Sequence, residues 1–144
     1  MKEIFSTKER LRILEAVIFK RGQVSVNETA NRLHLSKGLV SKYLDFLAKA
    51  GMAKRHNGKF SVIENSPLTK GIKVLLNLQR IPVSVFKKRP FVKAAGVYGS
   101  CAKGENTEES DTDIWIRIAK TEETAQAALT SELNKKVGNA KILV

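Results

Sequence analysis

The sequence predicts an α+β protein in two parts, a basic, helical amino-terminal half and a carboxyl-terminal third built on a small mixed sheet. Three observations predict it. Apolar residues recur at helical spacing behind serine caps as far as Gly51. Asn57-Gly58 then separates two short strand-like runs. Farther on, the apolar run Val92–Tyr98 and the β-branched, aromatic run Ile114–Ile118 read as strands. With 144 residues, 42% of them hydrophobic, the chain is long enough for one ordinary domain or two small ones and apolar enough to bury a core.

Composition also excludes several classes. No apolar run approaches the roughly 20 residues that cross a bilayer. The start, MKEIFSTKER, carries acids and no apolar stretch, unlike a secretory signal. The single cysteine, Cys101, precludes an internal disulfide, and with His34 and His56 it is too little for a zinc cage. A soluble cytoplasmic protein without membrane partners is expected. The formal charge of +12 is uneven: residues 1–62 hold 13 Lys and Arg against 5 acids, 63–98 hold 7 against 1, and 99–144 hold 6 against 8. A basic first half followed by a mildly acidic end suggests an anion-attracting module and then a place that concentrates carboxylates.

The helical half reads in order. Ser6-x-x-Glu9 predicts a capping box before Leu11, Leu14, Ala16, Val17 and Ile18, with Gly22 closing the helix. Ser25-x-x-Glu28 opens a short helix bearing Val26, Ala30 and Leu33. Ser36 caps a third, with Leu39, Val40, Tyr43, Leu44 and Leu47 inward and Gly51 at its end. The turn His34-Leu35-Ser36 gives helix-turn-helix spacing. The hairpin Met52–His56 and Lys59–Ile63 around Asn57-Gly58 completes a winged helix-turn-helix over residues 1–65. His34 reads as a turn residue and His56 as a surface one.

For DNA, the groove-facing candidates are Ser36, Lys37, Ser41 and Lys42 early on the third helix, with Lys54, Arg55 and Lys59 on the wing for the flanking backbone. That helix lacks an Arg, Asn or Gln for bidentate base reading. Winged helices also serve as protein-docking modules, so DNA and a protein partner both stay open. Residues 66–91 read as a linking helix from Pro67, with Leu68, Ile72, Leu75, Leu76 and Leu78 as its apolar face, and a basic connector containing Lys87-Lys88-Arg89.

Residues 92–144 carry the chemistry. The first strand runs into Gly99-Ser100, and Asp111-Thr112-Asp113 leads the second. Two carboxylates spaced by two on a strand share a face. They repel each other unless a divalent cation lies between them. A glycine after the first strand lets backbone amides approach a phosphate, and the serine adds a donor.

The stretch Gly99-Ser100-Cys101-Ala102-Lys103-Gly104-Glu105, followed by Ser110-Asp111-Thr112-Asp113-Ile114, resembles the signature of the minimal nucleotidyltransferases of the DNA polymerase beta superfamily. A winged helix joined to such a domain is similar to an arrangement known from archaeal proteins of this class. The resemblance implies that Gly99, Ser100 and Lys103 bind the phosphates of an NTP, Lys103 standing where the family commonly has arginine. It implies that Asp111 and Asp113 are catalytic and ligate Mg²⁺, and that nucleoside monophosphate passes to a hydroxyl acceptor.

Active relatives place a third carboxylate on a later strand. Here Thr121–Lys136 reads as a helix, and the strand after it, Ala140–Val144, holds no acid. Either the acid is supplied differently, or the site binds nucleotide without efficient turnover, or the chain is truncated. Three functions therefore stand beside one another: an Mg²⁺-dependent nucleotidyltransferase with a DNA- or partner-binding winged helix, a DNA-binding regulator whose degenerate transferase domain senses nucleotide, and an antitoxin-like partner of a small helical toxin.

Overall fold

The computed structural model describes residues 2–144, and the chain divides into two compact units, Met1–Gly71 and Ile72–Val144.

In the first unit a 3-10 turn, Lys2–Phe5, precedes α1 (Lys8–Val17). The cap of α1 is Thr7, whose hydroxyl accepts from the Arg10 amide at 3.1 Å; Ser6 instead donates to the Glu3 carbonyl at 3.2 Å. The helix therefore starts one residue later than Ser6-x-x-Glu9 predicts, because the 3-10 turn engages the serine first. Strand β1 (Gln23–Val24) is followed by α2 (Val26–Leu33), capped by Ser25, and α3 (Lys37–Lys49), capped by Ser36. His34 closes α2 in a left-handed conformation, φ 55°, which turns the chain between the two helices. Ile13, Leu14 and Val17 of α1 and Val40, Tyr43, Leu44 and Leu47 of α3 are buried. The buried Tyr43 hydroxyl donates to the Ile4 carbonyl at 2.9 Å, and burial raises its pKa.

Strands β2 (Ala53–His56) and β3 (Lys59–Val62) form the hairpin, with Asn57 at φ 50° and Gly58 at φ 73°. Positive φ at both central residues makes the type I′ turn that matches the twist of the strands. β1 pairs antiparallel with the free side of β3, giving the order β1-β3-β2. This is a winged helix-turn-helix.

Helix α4 (Pro67–Arg80) runs across the boundary between the units. Leu75 and Leu78, expected on its inward face, are 55% and 47% exposed, while Ile72, Lys73, Leu76 and Asn77 are buried. The difference has a hydrogen-bonding cause. Lys73 Nζ donates to the Asn106 carbonyl at 2.9 Å, and Asn77 Nδ2 donates to the Cys101 carbonyl at 2.9 Å and to Asn106 Oδ1 at 2.8 Å. Asn106 Nδ2 returns a bond to Asn77 Oδ1 at 3.0 Å. Satisfied in this way, the polar side of the helix is buried, and helical spacing turns the two leucines outward.

The second unit continues with α5 (Val83–Lys87), β4 (Val92–Val97), α6 (Gly99–Lys103), β5 (Thr112–Ile118), α7 (Glu123–Val137) and β6 (Ala140–Leu143). Its sheet has the order β4-β5-β6, antiparallel on one side of β5 and parallel on the other. The β5-α7-β6 crossover accounts for the parallel pair. Ile114 and Ile116 point to one face and pack with Val85, Leu129 and Leu133. The segment that the sequence suggests as a basic connector thus holds a short helix whose Val85 is fully buried in this core. Arg89 donates to Glu132 of α7 at 2.6 Å. The carboxyl of Glu132 is held below its ordinary pKa, first by that bond.

Candidate nucleotide site and nucleic-acid interface

The candidate site is assembled by the turn from β4 into α6 and by the start of β5. The Tyr98 amide donates to the Asp113 carbonyl at 3.1 Å, laying the two segments side by side. Gly99 has φ +58°, and a Cβ on it would stand 2.5 Å from Asp113 Oδ2. Two independent requirements therefore call for glycine here: a left-handed backbone, and room for a carboxylate directly over it. Gly104 closes α6, also left-handed at φ 66°. The loop beyond is tied down by the Thr107 amide donating to Ser110 Oγ at 2.9 Å and by the buried Asn106. It delivers Asp111, exposed, to the start of β5 and Asp113, half-buried, onto it.

Cys101 is buried and its thiol donates to the Asp111 carbonyl at 3.5 Å. Burial is the largest influence on it and pushes its pKa up; the backbone of Asp113, the charge of Arg80 and the Ser100 hydroxyl work the other way. Burial thus works against the thiolate form that a nucleophile needs. Lys103 is exposed on the last turn of α6.

The β5–β6 register decides what stands beside the carboxylates. Asp113 lies opposite Lys141, Ile114 opposite Ile142 and Trp115 opposite Leu143. Cross-strand neighbours share a face, so a cationic side chain occupies the β6 position flanking Asp113. Among the described residues no group of three His, Cys, Asp or Glu is gathered to hold a metal ion. Asp113 nonetheless offers hard oxygen donors beside the exposed Gly99, and Asp111, exposed, stands two residues before it. Magnesium is commonly held by one or two carboxylates, substrate phosphates and water, and these residues fit that pattern.

In the first unit, Ser36 is used as a cap, its Oγ accepting from the Leu39 amide at 3.2 Å. Lys37 and Lys42 are exposed and Ser41 half-buried. Helical spacing puts Gly38, Lys42, Asp45 and Lys49 along the outward line of α3, with Lys37 and Ser41 on its flank. Asp45 thus interrupts the basic face, and Arg55 pairs with it at 3.2 Å. The wing cations do not act as one group. Lys54 pairs opposite Ser61 and Lys59 opposite His56, sharing a face, whereas Arg55 lies on the other face over the Phe60 ring, 5.6 Å from its centroid. The outward line of α3 shows what residue-by-residue reading passes over: Lys49 belongs to the cationic face, and Asp45 needs a partner.

Among the described residues no helix is long and apolar enough to cross a membrane. The family model described as polymerase beta nucleotidyltransferase matches residues 83–143, beginning at α5. That of the bacterial regulatory proteins of the arsR family matches residues 7–55, from the cap of α1 into β2. No curated protein matches the chain. Family match, winged topology and the Gly-Ser to Asp-x-Asp geometry agree, and the chain joins a DNA-binding helix-turn-helix domain of the arsR type to a nucleotidyltransferase domain of the polymerase beta type.

Proposed function

We propose that the second unit is an Mg²⁺-dependent nucleotidyltransferase that moves a nucleoside monophosphate from an NTP to a hydroxyl acceptor, and that the winged helix brings it to DNA. The observation that carries this reading is the Asp113 carboxylate seated over the side-chain-free, left-handed Gly99. A backbone turn open to phosphate and a carboxylate suited to a metal meet there directly. Gly99 and Ser100 would hold the β- and γ-phosphates, and Lys103 would add positive charge at the rim of the loop. Asp111 and Asp113 would ligate Mg²⁺, which when bound screens the triphosphate and stabilises charge on the leaving pyrophosphate. In the transfer, the acceptor oxygen forms a bond to the α-phosphorus as the α–β bridging P–O bond breaks, and the acceptor proton leaves to solvent. The protein's part is to hold the triphosphate still and in line.

A second reading is supported by the register of β6. Lys141 flanks Asp113 on β6, the strand on which active relatives would carry a third acid. A site of two carboxylates and one ammonium favours holding an anionic nucleotide over turning it over, which describes a nucleotide-sensing regulator.

Incubation with ATP labelled on the α-phosphate, Mg²⁺ and candidate acceptors, including the protein's own hydroxyls and short nucleic acids, distinguishes the two. Label transfer that Asp111→Asn and Asp113→Asn each abolish is the result expected of the enzyme. Retention of ATP without transfer assigns the regulator.

For DNA, we infer that Lys37 and Lys42 of α3 and Lys54 and Lys59 of the wing contact phosphates, whereas Arg55 acts first on Asp45. Ser36 and Ser41 would set the helix end against the backbone.

A further inference from the structure

The chain has a single tryptophan, and it is not in the core. Trp115 is 36% exposed on the face of β5 opposite Ile114 and Ile116. Its cross-strand neighbour on β4 is Gly96, and a Cβ there would stand 2.7 Å from the indole nitrogen, with two more ring atoms within 3.0 Å. Gly96 is not among the residues with positive φ, so its backbone does not require glycine. What requires it is the indole, which lies over the β4 strand where any side chain would stand. On the other side, Leu143 of β6 is the partner of Trp115. A large ring has thus been laid over a glycine and left partly open to solvent.

Trp115 is two positions from Asp113 on the same face. Along a strand that is about 7 Å, a step comparable to the breadth of a ribose. We propose that the indole of Trp115 is the platform on which the base of the bound nucleotide stacks, an inference that rests on the metal–triphosphate reading of the Asp113 site. Every nucleobase offers a π-face, so stacking confers affinity with little discrimination by hydrogen bonding. The larger purine rings cover more of the indole than pyrimidines do. The ligand class is accordingly a nucleoside triphosphate, purine favoured over pyrimidine, with its phosphates toward Asp113 and its base toward Trp115.

Calorimetric titration with ATP and with inorganic tripolyphosphate, both with Mg²⁺, tests this on the full chain. Trp115→Ala should weaken ATP about tenfold or more and leave tripolyphosphate unchanged; Trp115→Phe should keep most of the affinity. Gly96→Ala, which displaces the ring while retaining it, should reproduce the loss for ATP alone. In the unsubstituted protein ATP should quench the tryptophan emission and tripolyphosphate should not. Equal ATP affinity with and without the indole, or an emission indifferent to ATP, overturns the platform while tripolyphosphate binding keeps the phosphate site. Failure of tripolyphosphate itself to bind overturns the phosphate site, and the platform with it.

Discussion

Gly99 concentrates the physical argument for the site in one residue. Its left-handed backbone and its missing side chain serve the same end, room for Asp113 at the mouth of α6. Gly99→Ala should cost about 1–2 kcal/mol from the backbone alone and force the carboxylate aside. A lowered melting temperature together with abolished Mn²⁺ binding, followed by electron paramagnetic resonance, is the expected outcome; normal metal binding would separate Gly99 from the carboxylate's position. At this scale the candidates are legible because the chemistry is carried by residue types at fixed short spacings: Gly-Ser at a strand end, Asp-x-Asp at the next strand's beginning. Lys141 is not legible as the neighbour of Asp113, nor Gly96 as the seat of Trp115, because register across strands is set by the geometry of the α7–β6 turn and of the bulge in β4, between Val92 and Ala94.

Among elements, α4 shows most clearly why local pattern falls short. Five leucines and isoleucines at near-helical spacing suggest an apolar face, yet Lys73 and Asn77 are buried beside Ile72 and Leu76 while Leu75 and Leu78 are exposed, because the acceptors of the two polar side chains lie on α6 and the loop after it. A sequence window contains the helix but not the partners at Cys101 and Asn106, residues far along the chain. Asn77→Ala would leave the Asn106 amide and the Cys101 carbonyl without their bonds, a cost of about 2–3 kcal/mol, read as a fall in thermal stability. Because the loop from Asn106 leads to Asp111, metal affinity should fall as well. The strand β1 has two residues, too few for periodicity to register, and α5 follows Pro82 without a side-chain cap. The caps Ser25 and Ser36 and the Asn-Gly hairpin, whose signals are local, are readable from the sequence, whereas the cap of α1 falls on Thr7 and not on Ser6. The link between α5 and α7 is electrostatic at its edge. The Glu132 pKa is depressed when folded, so the contribution of its bond to Arg89 is complete above the ordinary 4.5 and disappears as pH falls through the depressed value. The melting-temperature gap between the native chain and Glu132→Gln should therefore be largest near neutrality and close in acid; a constant gap would contradict the pairing.

Over the whole molecule, charge separates the two tasks. The amino-terminal 62 residues carry a clear cationic excess, and the last 46 carry an acidic one. DNA affinity should fall steeply with salt, and removing Lys37 and Lys42 together should reduce the slope by about 2, close to one for each phosphate left without its lysine. Arg55→Ala should have a different effect, exposing the uncompensated charge of Asp45 on the α3 face and weakening binding by more than a single phosphate's share. An unchanged slope in the double lysine variant would remove α3 from the DNA surface. The claim on which both the enzyme and the sensor depend is that Asp111 and Asp113 present a metal-bound triphosphate to the Gly99 turn. Its most direct test is the calorimetric titration of Mg·ATP into the intact protein and into the Asp111→Asn, Asp113→Asn double variant: binding by the first and none by the second is the predicted result, and equal binding by both would contradict it.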